Sequence, residues 1–500
     1  MLYKIPRLKE DIMTELLKKY VENFNKSDIE LYKNAIPNDL AYEWLKDRIP
    51  LFECPDKELE KTYYFRFWTY RKHVKKTPEG FAITEFLPDV PWGGKYNIIN
   101  APVGHHFTEG RWLKGSKPIF EDYLRFYLNN PKEAHQYSSW LLWAAAEYEQ
   151  VCGPLEIGAD ELLKMVDYYC EWEDTHKLPS GLFWSYDGYD AMEYSISGTR
   201  CGKRTKGIRP TLNSYMYGEA IAIAYFADRL GKSDIKEEFL KKAEELRSLI
   251  NQTLIHDGFY KALHGDNDSE VETIHNRNDG TGSPRELLGY IPFMFDIPNA
   301  DMTGVFNLLD DERIFLAKTG LSTADASDPR HMGEFAHECL WNGYVWPFAT
   351  SQTLSALIRV IHSGHEEYKD TLIRHLKLYS DMHRIGNNGQ PWIDEVMSPN
   401  KRKWTARHIL QEKGWRKSLG GIERGKDYNH STFCDLVITG IVGVRTDTDE
   451  LTLTPAIPED WEYMKLQNLE YRGKLYSVIY DKTGKRYGLG AGLKIIEEKA

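Results

Sequence analysis

GLFWSYDGYDAMEYSISG, residues 181–198, lies between two segments patterned as helices, ADELLKMVDYYCEWEDTH at 159–176 and LNSYMYGEAIAIAYFADRLG at 212–231. It sets three carboxylates, Asp187, Asp190 and Glu193, among Trp184, Tyr186, Tyr189 and Tyr194. Acids crowded against rings are what a sugar cleft requires: a flat apolar face for the pyranose ring, and carboxyls whose pKa can be raised for proton donation. The plainer reading is a helix connection whose rings plug the core. In either case, the segment joins two long helices.

The alternation continues on both sides. Helical patterns occur in IFEDYLRFYLNN (119–130), SSWLLWAAAEYEQVCG (138–153), DIKEEFLKKAEELRSLINQTL (234–254), RELLGYIPFMF (285–295), WPFATSQTLSALIRVIHSG (346–364) and EEYKDTLIRHLKLYSDMHRIG (366–386). Several stop at or near Gly or Asn, as helices do. Residues 1–60 carry an amphipathic pattern, with Ile12, Leu16, Leu17, Tyr20 and Phe24 at spacings of three and four. The run YYFRFWTYRKHV (63–74) and the Gly- and Pro-punctuated residues after it, to 112, are expected to form strands and loops. From Val437 the chain turns β-rich, with period-two alternation in KLYSVIYDKTGKRY (474–487) and a Thr-Gly turn signal. No short-period repeat is visible, which disfavours a solenoid of identical units. The expected architecture is mainly α: a closed toroid of helical hairpins whose loops converge at one end. Its parts are an N-terminal helical segment (1–60), a barrel (61–436) and a β-rich segment packed on it (437–500).

Composition narrows the function. The 500 residues include 14 Trp and 31 Tyr within a 13% aromatic fraction, more than core filling usually asks for. A net charge of −11 with scattered Lys and Arg offers no field for a phosphate backbone, so nucleic acid is not an expected partner. The six cysteines (54, 152, 170, 201, 339, 434) form no CxxC pair and read as mostly buried thiols. There is no signal-like apolar run at the start and no stretch of about 18 apolar residues, so a cytoplasmic location without membrane contact is expected.

Four segments, taken in order, resemble a known family. GYD at 188–190 looks like the Gly-x-Asp motif that carries the general acid in the inverting glycosidases related to trehalase (family 37), processing α-glucosidase I (family 63) and mannosylglycerate hydrolase. RPTLNSYMYGEA at 209–220 resembles their DLNA-type helix start, WNGYVWPFATSQTL at 341–354 their Trp-x-Gly-x-x-Trp-Pro segment, and WIDEVMSP at 392–399 their Glu-x-x-x-Pro base motif. A fainter likeness runs from Tyr63 to Leu113. The resemblance implies an (α/α)6 toroid, six-hairpin glycosidase-like, with an inverting mechanism and no cofactor. Two departures stand out: Ala191 and Met192 follow Asp190 where the relatives have Asn or Phe and then Ser, and Asn400–Lys403 replaces a Thr-Gly.

Inverting hydrolysis needs one protonated carboxyl for the departing oxygen and one ionised carboxylate for the water on the opposite face. Asp190 is expected to be the acid, with Asp187 and Glu193 as the other candidates. Glu395 is expected to be the base, with Asp394 as its alternative. Neither Asp190 nor Glu395 is expected to hold the fold together. Trp184, Trp341, Trp346 and Trp392 are expected to contact sugar rings, and Asn342 a hydroxyl. His106, Glu109 and Arg111 of GHHFTEGRW are placed at the non-reducing end, and Tyr428 and His430 on the cleft wall. A metal on the His-His-x-x-Glu cluster is the less favoured reading.

The expected function is an inverting exo-acting glycoside hydrolase that releases an α-linked glucose- or mannose-type sugar. Two alternatives stay open. One is a toroid epimerase or polysaccharide lyase using His or Tyr, with His105, His106 and His430 as its pieces; the other is a non-catalytic carbohydrate-binding protein.

Overall fold

The computed structural model describes residues 10–200, 203–204, 206–267, 270–272, 284–386 and 388–498. The helices that build the ring and its surround are α1 (Glu10–Ser27), α2 (Lys57–Tyr70), α3 (Val103–Gly110), α4 (Lys117–Asn129), α5 (Leu141–Cys152), α6 (Ala159–His176), α7 (Pro210–Arg229), α8 (Ser233–Thr253), α9 (Ile291–Met294), α10 (Pro347–His362), α11 (Lys369–Met382) and α12 (Phe433–Leu436), and further short helices run over Ala41–Leu45, Pro131–Ala134 and Thr405–Glu412.

Six of these close a ring. α3 packs on α5, α5 on α7, α7 on α9, α9 on α10, α10 on α12, and α12 returns to α3. A second layer lies outside: α4 against α5 and α6, α6 and α8 against α7, and α11 against α10 and α2. This is the α/α toroid, and its inner helices show why. α7 and α10 both begin with a proline at the first helical position, where the missing N–H costs nothing. Their residues are buried almost all round, as a helix enclosed by a second layer must be.

The same enclosure explains two differences from the sequence expectation. YYFRFWTY lies in α2, not in a strand. Nearly every α2 residue from Leu59 to Tyr70 is buried, so the run has no polar stripe to advertise its period. Asp56 caps its start by accepting the Leu59 amide at 3.0 Å. On α1 the buried face is Met13, Leu17, Val21 and Phe24, while Ile12 is 64% exposed. Phe24 packs its ring on Phe65 and Trp68, with centroids 5.6 and 5.7 Å away.

At the C-terminal side, β2 (Tyr463–Tyr471), β3 (Lys474–Asp481) and β4 (Gly492–Glu497) form an antiparallel sheet to which β1 (Leu51–Glu53) adds an edge through β2. Tyr471 pairs with Lys474 across a two-residue turn, Arg472–Gly473, in which both φ are positive (49° and 76°). That is the turn geometry that suits twisted hairpins, and glycine takes it without steric cost. β3 stops at Asp481, so the alternation read through Tyr487 covers one strand and a turn. β1 ties the N-terminal segment to this sheet.

Candidate active site

The segments that lead into the inner helices meet at one end of the ring. Ala101 precedes α3, Tyr137 precedes α5, Ala191 and Glu193 lie before α7, Trp346 abuts α10 and Tyr428 precedes α12, and all of them line one cleft of about 630 Å3. Glu85, Phe86, Trp92, His337, Glu338, Cys339, Glu395 and Arg424 complete its wall. Converging helix N-termini favour negative charge at this end.

Glu395 is held tightly. Arg424 donates Nε to Oε1 at 2.6 Å and Nη2 to Oε2 at 2.8 Å, and the Cys339 thiol donates to Oε2 at 2.9 Å. The WIDE segment is braced by Asp394, which accepts the Glu395 amide at 2.9 Å and the Trp392 indole N–H at 3.3 Å. Burial, followed by repulsion from Glu395, pushes Asp394 up to about 7. Close approach of this segment to Arg424 depends on Gly425, where a Cβ would lie 2.0 Å from Asp394 Oδ1.

Of the three carboxylates in GLFWSYDGYDAMEYSISG, Glu193 lines the cleft. Its backbone is fixed by the Trp341 amide, 3.1 Å from its carbonyl, and the residues around it, Ala191 and Tyr194, have φ of 55° and 59°. Non-glycine residues in that region are strained and need surroundings that hold them there. Asp190 and Asp187 supply that hold. Asp190 is fully buried, accepts Ser138 and Ser185 hydroxyls on Oδ1 at 2.8 and 2.9 Å, and takes Arg209 Nε on Oδ2 at 2.6 Å. Asp187 accepts the Gly188 and Tyr194 amides at 2.8 and 2.7 Å. Neither side chain forms part of the cleft wall. Both Asp190 and Glu395 sit in buried ion pairs, so each is tied into the fold, contrary to the sequence expectation.

The remaining expected residues divide into two groups. Trp346 and Tyr428 line the cleft. Trp341 stacks on Trp346 at 4.5 Å and supports it from behind. Asn342 donates to the Gly333 carbonyl at 2.8 Å, and Trp392 lies under Arg407 and Lys426, so both serve local structure. Trp184 stacks on His176 at 4.6 Å, outside the cleft wall. His106 is buried within α3 between Tyr123 and the Asn429 carbonyl. Burial holds His105 and His106 down at about 3 and His430 well below its usual value. Glu109 accepts the Cys434 and Asp435 amides at 3.0 and 2.8 Å, at the start of α12. Arg111 is bound to Asp435 and lines a separate cavity of about 910 Å3. That cavity lies at the opposite ends of α3 and α10, so the GHHFTEGRW segment extends away from the cleft. No cluster of three or more His, Cys, Asp or Glu is placed to hold a metal among the described residues.

Sequence reasoning missed Glu85, Arg424 and Cys339. Glu85 is buried, accepts the Tyr428 hydroxyl, and is pushed up to about 8, mainly by desolvation and then by the charges of Glu395 and Glu193. The acids that bind Arg424 are remote from it in the sequence: Glu395 is 29 residues away and Glu338 is 86. Nothing local marks it.

A chain with 33% identity, called a sialidase, superposes with a TM-score of 0.85 over 97% of this chain and 43% of its own. A family GH78 rhamnosidase from Bacillus sp. GL1 superposes at 0.54 with 14% identity, over 86% of this chain and 40% of its own. This chain therefore spans about two fifths of the length of these two neighbours. No curated protein matches the sequence. Residues 444–497, which contain β2, β3 and β4, match the C-terminal domain of glycosyl hydrolase family 65. Residues 95–431, from before α3 to the start of α12, match the mannosylglycerate hydrolase MGH1-like glycoside hydrolase domain. The toroid, the acid-lined cleft at the N-termini of its inner helices and this match over two thirds of the chain agree, and the chain belongs to the MGH1-like glycoside hydrolase family.

Proposed function

We propose that the chain is an inverting, exo-acting glycoside hydrolase that releases an α-linked glucose- or mannose-type sugar. The observation that carries the reading is that Glu193 and Glu395, from loops about two hundred residues apart, line one cleft walled by Phe86, Trp92, Tyr137, Trp346 and Tyr428. Glu395, held by the Arg424 guanidinium, serves as the base that draws the proton from water. Glu193 serves as the acid that protonates the departing oxygen. Trp346 and Trp92 offer faces to the sugar. Inversion and exo action rest on the family resemblance.

A second assignment of the acid is favoured by one observation. Glu85 lines the same cleft and, pushed up to about 8, carries a proton at neutral pH. Glu85→Gln and Glu193→Gln separate the two when each is assayed on an aryl glycoside with a poor leaving group and on one with a good leaving group. Loss of the acid costs on the order of 10²–10⁴ in rate for the poor leaving group and much less for the good one. That pattern in Glu193→Gln supports the assignment, and the same pattern in Glu85→Gln alone transfers the role. Full activity in Glu395→Gln contradicts the carboxylate-pair mechanism.

A further inference from the structure

The cavity of about 910 Å3 at the far end of the ring, where α3 and α10 finish, carries a chain of paired charges in its wall. Asp435 accepts Arg111 Nε and Nη2 at 2.9 and 2.7 Å, and Arg111 Nη1 reaches Glu147 Oε2 at 3.3 Å. Arg359 then donates Nη2 to Glu147 Oε1 at 2.7 Å and Nη1 to Asp296 at 2.9 Å. Beside this chain Arg445 grips Asp447 at 3.0 and 2.6 Å. Against its desolvation, Glu147 is held below its ordinary value by Arg359 and then Arg111. Burial raises Asp435 and Asp296, and the guanidinium that each faces opposes the rise. His362 is pushed down to about 4 by burial and then by Arg445, so it is uncharged at neutral pH. Among the described residues of this wall, every charge faces its opposite.

Hydrogen-bonding capacity is left over. A guanidinium has five N–H donors. Arg359 spends two of them on its carboxylates, and Arg445 spends three, two on Asp447 and one on the His362 carbonyl at 2.5 Å. Both side chains are open to the cavity, 27% and 24% exposed. Thr108, Ser355 and Thr446 add hydroxyls that no hydrogen bond to a described residue occupies, and Trp143, Met294 and Ile358 give the wall an apolar part. Spare donors, carboxylate acceptors and free hydroxyls beside apolar surface suit a molecule dense in hydroxyls, because hydrogen bonds to charged groups are the strong ones. The volume is that of a small-molecule pocket. An ion fits less well: an anion must part a guanidinium from its carboxylate and a cation the reverse, and breaking a buried pair strands the charge left behind. Apolar packing in place of the chain would be no less stable, so stability alone does not account for an open, charged cavity.

We propose that this cavity is a second carbohydrate site, at the opposite end of the ring from the cleft, which takes an uncharged sugar of one or two rings. It goes beyond the hydrolase reading and does not rest on it, because turnover plays no part in its measurement.

Equilibrium dialysis of the full chain against radiolabelled glucose, mannose and cellobiose tests it, with glucuronate and glucosamine as charged controls. At least one neutral sugar is expected to keep a bound component in Trp346→Ala, which removes a ring from the cleft. That component is expected to weaken at least about tenfold in Kd in Ser355→Trp, which puts an indole into the cavity. Thr446→Trp intrudes from a different segment and is expected to do the same, so the test stands if one of the two variants does not fold. The charged controls are expected to bind the component at least about tenfold more weakly than the neutral sugar. The proposal is overturned if neutral-sugar binding is unchanged in a folded variant of either kind, if no neutral sugar binds outside the cleft, or if a charged control binds the cavity as tightly.

Discussion

Arg424 grips both carboxylate oxygens of Glu395, Nε on Oε1 at 2.6 Å and Nη2 on Oε2 at 2.8 Å, while the Cys339 thiol reaches Oε2 at 2.9 Å. A carboxylate fixed at both oxygens cannot rotate, so a water poised on it has one position. The thiol is the smaller of the two supports and the easier to remove without stranding a charge.

Cys339→Ala is therefore expected to lower kcat/KM by about tenfold, the scale of one hydrogen bond to a charged group. Cys339→Ser, which keeps a donor, is expected to restore most of the loss. Equal kcat/KM in Cys339→Ala and the wild type contradicts the support given to Glu395 by the thiol.

Asp190→Asn tests stability more than chemistry. It removes one charge of the buried pair with Arg209 and weakens the fastening that holds Ala191 and Tyr194 at positive φ. A loss of about 3–5 kcal/mol in chemical denaturation is expected, the cost of breaking a buried ion pair. An unchanged denaturation curve contradicts the positioning role given to this pair.

Glu85 makes stability depend on pH in a stated direction. Its carboxyl is raised from 4.5 to about 8, chiefly by burial. Below pH 4.5 folded and unfolded chains both hold the proton and the contribution is complete. Between the two values the folded chain keeps a proton that the unfolded chain has released, so stability falls as pH rises, by at most about 1.4 kcal/mol per unit. Above 8 the contribution is gone. Melting curves from pH 5 to 8 are expected to be flatter for Glu85→Gln than for the wild type. Parallel curves contradict the raised value.

The toroid was legible because its long helices carry their own punctuation: prolines at Pro210 and Pro347, Gly153 after α5, and an apolar stripe wherever one face meets solvent. α2 was not, since a helix buried all round loses its period. In the site, Glu395, Trp346 and Tyr428 could be singled out from segments dense in acids and rings. Which of Asp187, Asp190 and Glu193 lines the cleft could not be read that way, because Arg209 folds back onto Asp190 from 19 residues away. Glu85 and Arg424 were invisible for the same reason. Their partners are Tyr428 and Glu395, brought to them by closure of the ring, and no local pattern records that closure.

The central claim is that the carboxylate pair in the cleft hydrolyses an α-glycoside with inversion. Proton NMR of the first-formed product during cleavage of an α-glucoside or α-mannoside tests it directly. The β-anomer is expected to accumulate first and then mutarotate; an α-anomer released first contradicts the mechanism.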